Sequence, residues 1–188
     1  MNVNFKRFLC LASLAVLPGY AVAAPTVTFQ GEVTSQTCSV EINGQTNSVV
    51  LLPTVALTDF GSTLAAGQTA GLTPFSISVT GCTAGATAPQ NISAQFLGYG
   101  VESKTGVLGN TNTGSDAASG FGIQLLSDST GASGTEVVLN GVTSVSGLVL
   151  SVGETSASHE FGARYYSLGA TGTAGKITAV AEYTLSYL

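Results

Sequence analysis

The last fourteen residues, Gly175 to Leu188, alternate with one exception. Ile177, Ala179, Ala181, Tyr183, Leu185 and Tyr187 are apolar or aromatic. Lys176, Thr178, Glu182, Thr184 and Ser186 between them are polar, and Val180 is the exception. A period of two puts the odd residues on one face of a β-strand. The alternation runs to the final residue, so we expect no later segment to pair with the free edge of that strand. An amphipathic strand in that position must have its edge covered or put to use.

The other end reads as an export signal. Lys6 and Arg7 form a basic start, Phe8 to Leu17 an apolar stretch, and Pro18-Gly19 a break. Ala21-Val22-Ala23 fits the small-x-small pattern of a cleavage site, which predicts a cut after Ala23 and a mature chain from Ala24. A cut after Ala24 would leave Pro25 first. The apolar stretch is too short to span a bilayer, and no later stretch reaches the roughly 20 residues a membrane helix needs. The mature protein is therefore expected to be exported and soluble.

Removing 23 of 188 residues leaves 165, about one domain. The precursor carries a net charge of −5, and losing Lys6 and Arg7 takes it to −7. Lys104, Arg164 and Lys176 are the mature chain's basic residues, against ten acidic ones, so no basic patch exists to meet nucleic acid. Only 8% of residues are charged while 44% are hydrophobic, which argues for an ordered, Ser/Thr/Gly-rich exported domain rather than disorder. Cleavage removes Cys10 and leaves Cys38 and Cys82. In an oxidising compartment two cysteines most simply form one disulfide, the alternative being two buried thiols. Closing a loop of this length would stabilise the fold by up to about 4 kcal/mol in the chain-entropy model.

The pattern is β throughout. Phe75 to Thr80 alternates and leads into Cys82; Ile92, Ala94 and Phe96 alternate, as do Phe121, Ile123 and Leu125. Val137 to Leu139, Leu148 to Val152 and Phe161 to Tyr165 add short apolar runs, separated by Gly, Ser, Thr and Asn clusters. Many short strands with turn signals between them predict a β-sandwich, and no window carries a helical stripe beyond the signal. The mature N-terminus reads as one more strand, with Val27, Phe29, Gly31 and Val33 on one face and Thr26, Thr28, Gln30 and Glu32 on the other. It has no close hairpin partner. It is either a first strand paired far away in sequence or a strand held out for another molecule. Gly31 favours the second, because glycine inside a strand often marks the close approach of another chain.

The chemistry of an enzyme is missing. His159 is the single histidine, read as a surface or edge residue near a strand start. No CxxC or carboxylate cluster suggests a metal, and no cofactor motif is found. No Gly-x-Ser-x-Gly elbow surrounds any serine, and Gly98-Tyr99-Gly100 lacks the third glycine of a phosphate loop.

Four features together resemble the subunits of chaperone–usher fimbriae, of the type 1 and P-pilus kind. They are the run Val27-x-Phe29-x-Gly31-x-Val33; Cys38 shortly after it, with Cys82 after an alternating strand; Phe161-Gly162-Ala163-Arg164-Tyr165-Tyr166; and the terminal strand, with Gly175 fourteenth from the end and Tyr187 penultimate. The resemblance implies an all-β fold, an incomplete immunoglobulin-like β-sandwich lacking its last strand. It divides the chain into a signal over 1–23, a donor-strand extension over 24–36 and a pilin domain over 37–188. It implies a head-to-tail filament in which Val27, Phe29, Gly31 and Val33 of one subunit enter the groove of the next. The strand bearing Gly175, Ile177, Ala179, Ala181, Tyr183, Leu185 and Tyr187 then forms a groove lip and the chaperone-recognition surface. The implied partners are like subunits, a periplasmic chaperone and an outer-membrane usher, and the implied place is the cell surface, in support of adhesion. A single domain with an extension fits a shaft or adaptor subunit. The competing expectation is a monomeric secreted β-sandwich lectin that binds a carbohydrate.

Overall fold

In a computed structural model the chain is described at residues 33–36, 38–46 and 48–187. The signal segment with its cut at Ala23–Ala24, and Val27, Phe29 and Gly31, lie outside the described residues, as does Leu188. The described residues form strands β1 (Ser39–Ile42), β2 (Thr69–Thr80), β3 (Gln90–Gly98), β4 (Val101–Glu102), β5 (Val107–Gly109), β6 (Phe121–Leu126), β7 (Glu136–Val137), β8 (Val142–Leu150), β9 (Ala157–Ser167) and β10 (Ala181–Ser186). One turn of 3-10 helix, Leu57–Phe60, is the helical element among them.

The strands form where alternation supplies one apolar face. In β2, Phe75, Ile77 and Val79 are buried; in β3, Ile92, Ala94 and Phe96 are. β6 reads differently, because both its faces are covered and all six residues are buried. Seven strands make one sheet in the order β1-β2-β9-β6-β5-β4, with β7 also pairing β6. Three make the other, β10-β3-β8. The pairings between these strands are all antiparallel, and the two sheets form a two-layer sandwich with the inward faces as its core.

Phe161 ties the layers together. It stacks on Phe75 with ring centroids 5.7 Å apart within its own sheet and meets Phe96 of the other sheet edge-on at 6.0 Å. Cys38 and Cys82 form the disulfide, with Cα atoms 4.3 Å apart. It fixes the chain just before β1 to the end of β2.

Two expectations are corrected here. The alternating C-terminal run forms a ladder only over Ala181–Ser186. Its partner β3 ends at Gly98, opposite Ala181, and the chain then turns through Tyr99 and Gly100, where φ is +60°. Residues 175–180 keep the alternation outside that ladder, with one isolated parallel bridge from Lys176 to Ala117. His159 is also not at an edge. It stands inside β9, opposite Ile77 of β2, with its ring 4.7 Å edge-on from Phe161 and its Nε2 2.8 Å from the Ser127 carbonyl oxygen. A Cβ at Gly147 of β8 would lie 2.5 Å from the ring, so that position accepts glycine so that the two sheets can close over the imidazole.

Candidate functional site

The three-stranded sheet ends at β10, which pairs with β3 on one side. The run from Ile177 to Tyr187 is polarised across its width. Ala118 N donates to the Lys176 carbonyl oxygen at 3.0 Å, and Lys176 N to that of Asp116 at 2.7 Å. Thr111 N donates to the Thr178 oxygen at 2.7 Å, and Tyr99 N to the Val180 oxygen at 2.9 Å. Even residues thus direct their backbone groups to one side. In extended chain the odd residues direct theirs to the other. Among the described residues, Ile177 and Ala179 have no backbone hydrogen bond. Their side chains, with those of Ala181, Tyr183, Leu185 and Tyr187, are half-buried against the core.

A second segment has the same character. From Ser48 to Val55 the chain is extended and carries no backbone hydrogen bond among the described residues. Val50 and Leu52 pack on the core, whereas Val49 and Leu51 are 75% and 82% exposed. The two segments meet at one end. There Val55, Phe60, Phe121, Tyr165 and Ile177 line a cavity of about 350 Å³, with Thr54 on one rim and Thr173 to Lys176 on the other. The 48–55 segment and the residues Ile177 and Ala179, all without backbone hydrogen bonds among the described residues, therefore flank an apolar floor. That arrangement can accept one more strand, whose backbone would satisfy both lips while its alternate side chains are buried.

Local chemistry holds the cavity end in shape. At Gly175 a Cβ would lie 2.5–2.6 Å from backbone atoms of Asp116, Ala117 and Ala118, so only glycine lets this segment lie against them. Lys176 Nζ donates to Asp116 Oδ2 at 2.7 Å, and this hydrogen bond holds the Asp116 carboxyl below its ordinary pKa. Asn110 Nδ2 donates to the Ala118 and Lys176 carbonyl oxygens at 2.9 and 3.0 Å, and its Oδ1 accepts from Thr178 N at 3.0 Å. On the outer face the Tyr99 hydroxyl donates to Glu182, which raises the phenol pKa, with desolvation adding to the effect. Burial alone raises that of Tyr165 in the cavity wall.

The opposite end of the groove lies near the root of the N-terminal segment. Gln36 Nε2 donates to the side chain of Gln90 at 2.6 Å and to the Thr83 oxygen at 3.2 Å, and Gln36 Oε1 accepts from Thr83 N at 3.0 Å. Gln90 Nε2 in turn donates to the Tyr187 oxygen at 3.4 Å. Val33, just before this anchor, is fully exposed.

Of the residues singled out in the sequence, Ile177, Ala179, Ala181, Tyr183, Leu185 and Tyr187 share one side of the groove, and Gly175 stands at its cavity end. Val33 stands apart from them, facing solvent. Sequence reasoning missed the 48–55 segment and the cavity residues Val55, Phe60 and Phe121. Val49 to Leu52 are four consecutive apolar residues, so no period-two signal survives, although an apolar run opened by two β-branched valines and stopped by Pro53 was a usable sign.

The family model described as "Fimbrial protein" matches residues 27–188. The chain is 36% identical over 165 residues to the "F17 fimbrial protein" of Escherichia coli, covering 86% of each chain. It is 35% identical over 177 residues to the "Major fimbrial subunit SMF-1" of Stenotrophomonas maltophilia, covering 93% of this chain and 99% of that one. In fold it is similar to the P pilus rod subunit PapA, with a TM-score of 0.57 and 19% identity over 80% of this chain and 99% of that one.

Proposed function

The chain belongs to the fimbrial protein family, whose members are structural subunits of cell-surface filaments and not enzymes, and we propose that it polymerises by donor-strand exchange. The groove between 48–55 and 177–187 is the acceptor, and residues 24–36 of a second copy are the donor. The observation that carries this reading is the extended segment 48–55 and the residues Ile177 and Ala179, without backbone hydrogen bonds among the described residues, over one apolar floor. Leaving such edges open is a liability that a chain manages by covering them. A filament covers each groove with the next subunit's arm, head to tail, and such contacts propagate without closing.

In this reading Val27, Phe29 and Val33 fill the floor, each burial contributing roughly 1.5–3 kcal/mol before ordering costs. Gly31 passes where the groove leaves no room for a side chain. During export through the periplasm a chaperone lends the missing strand, binding the lip from Ile177 to Tyr187 near Gly175. An outer-membrane usher then exchanges it for the next arm, and the resulting shaft or adaptor supports adhesion. Before cleavage, residues 1–23 direct export, with the cut at Ala23–Ala24.

The test is electron microscopy of cells carrying the Gly31→Leu variant or lacking residues 25–34. Fibres should be absent in both while the chain still reaches the periplasm. Normal fibres in either strain would sink the reading.

A further inference from the structure

The C-terminal lip runs on past the end of its ladder. β10 is zipped to β3 only as far as Ala181, opposite Gly98, so residues 176–180 are held by other means. Tyr99 N donates to the Val180 carbonyl oxygen at 2.9 Å and Thr111 N to that of Thr178 at 2.7 Å. Lys176 makes an isolated parallel bridge with Ala117: its N donates to the Asp116 oxygen at 2.7 Å, and its own oxygen accepts from Ala118 N at 3.0 Å. If that parallel ladder continued, Thr178 N would donate to the Ala118 oxygen. It does not, and Thr178 N has no backbone acceptor among the described residues.

One side chain carries the ladder across this break. Asn110 follows β5, and its Oδ1 accepts from Thr178 N at 3.0 Å and from Asn112 N at 3.0 Å. Its Nδ2 donates to the Ala118 oxygen at 2.9 Å and to the Lys176 oxygen at 3.0 Å. A carboxamide has two acceptor lone pairs and two N–H donors, and all four are used here. The partners also fix which way the amide faces, since two are N–H groups and two are carbonyl oxygens. The carboxamide is thus inserted between the Ala118 oxygen and Thr178 N, where a peptide group would otherwise make the bond directly. An Asp in its place would have no N–H to donate and would set a carboxylate against two carbonyl oxygens. With Lys176 and Thr178 tied on this side, extended chain turns the backbone groups of Ile177 the other way, toward the groove.

We propose that Asn110 is the positioning residue of the acceptor lip, whose carboxamide replaces the missing ladder step between Ala118 and Thr178 and so sets residues 176–178 before any donor strand arrives. This rests on the acceptor-groove reading and adds to it how the lip is formed. Asn110 lies on the side of the lip away from the groove, so it does not touch the incoming strand. Without it, fewer empty subunits hold a formed lip, and association slows in proportion. The contacts between lip and donor are unchanged once made, so dissociation keeps its rate.

The test is stopped-flow binding of a fluorescent peptide of residues 25–34 to the mature chain, beside hydrogen exchange of the chain alone. Asn110→Ala should slow association by about tenfold, with dissociation changed by less than about twofold. Exchange at Thr178 should quicken by about tenfold or more, while the amides of the β3–β10 ladder hold their rates. Asn110→Asp keeps the acceptor oxygen and loses both donors; it should also slow association, and it decides the matter if the alanine variant fails to fold. Val79→Ala, in the core of the other sheet, is the stability control. It should lower the denaturation midpoint and bind the peptide at the wild-type rate. Wild-type association in the folded Asn110 variants, a change confined to dissociation, or equal slowing by Val79→Ala would overturn the proposal while leaving the groove an acceptor. A peptide that fails to bind even the wild type would instead remove the acceptor reading, and this assignment with it.

Discussion

The two sheets of this molecule are built from the same kind of sequence and end differently. In the seven-stranded sheet, the alternating run of β2 finds β1 on one side and β9 on the other, and its backbone is paired over most of its length. In the three-stranded sheet, the equally regular run through β10 finds β3 on one side only. Across the groove, 48–55 lies extended with no ladder at all. Alternation dictates which face a strand buries but not whether its edge is satisfied. The edge depends on what the rest of the chain brings alongside. Here β2 is paired on both sides by its own chain, and the edge of β10 is, in the function proposed above, the one a second molecule covers.

Substitutions can break that contrast, in decreasing order of effect. Phe161 serves both sheets, so Phe161→Ala should destabilise the subunit by about 3–5 kcal/mol, measured by denaturant unfolding. An effect below about 1 kcal/mol would mean the layers are not coupled through this ring. Next comes the disulfide that anchors the arm root. Cys38→Ser should cost about 2–4 kcal/mol in the same assay, with the loss reproduced by reducing the wild type. Gly175→Ala forces backbone apart at the cavity end and should cost about 1–3 kcal/mol. Because the clash is local, its thermal shift should be accompanied by faster exchange at residues 116–118. Ile177→Ser lies on the open lip, where burial is only partial. It should change monomer stability by less than about 1 kcal/mol but lower the denaturant concentration at which filaments dissociate.

The smallest effect belongs to the exposed ion pair. Asp116→Asn should shift the denaturation midpoint barely above the detection limit, and less in high salt. The wild-type contribution has a defined sign. The Asp116 carboxyl is held below its ordinary pKa by the hydrogen bond from Lys176. Its stabilisation is therefore present above the unfolded carboxylate pKa and is lost as pH falls through the folded one. A pH titration of wild type against Asp116→Asn should converge in acid and separate slightly near neutrality.

Much of the sandwich was legible in the sequence because β2 and β3 bury one clean face each, and the apolar runs of β6 and β9 supply buried strands beside them. The inward residues Phe75, Ile77, Ile92, Phe96 and Phe161 appear at the expected spacing. The 175–188 run was legible as a face, but its ladder stops at Ala181, because the turn that ends β3 is a property of another part of the chain. The second lip was not legible from alternation, only from the apolar run that Pro53 stops. Val49 and Leu51 are exposed apolar residues, and a surface that presents apolar side chains to water does not announce itself by period. His159 was misplaced for a related reason. Its partners, Gly147 and the Ser127 carbonyl, come from distant loops and the opposite sheet.

The central claim is that the edge left open in the monomer is closed by another copy in the filament. Hydrogen exchange of assembled fibres against dilute monomer, read at Ile177, Ala179, Val50 and Leu52, tests it most directly. We predict slowing by about a hundredfold or more on both lips together, because both would gain main-chain partners from one inserted strand. Equal exchange in fibre and monomer, or slowing on one lip alone, would contradict the account.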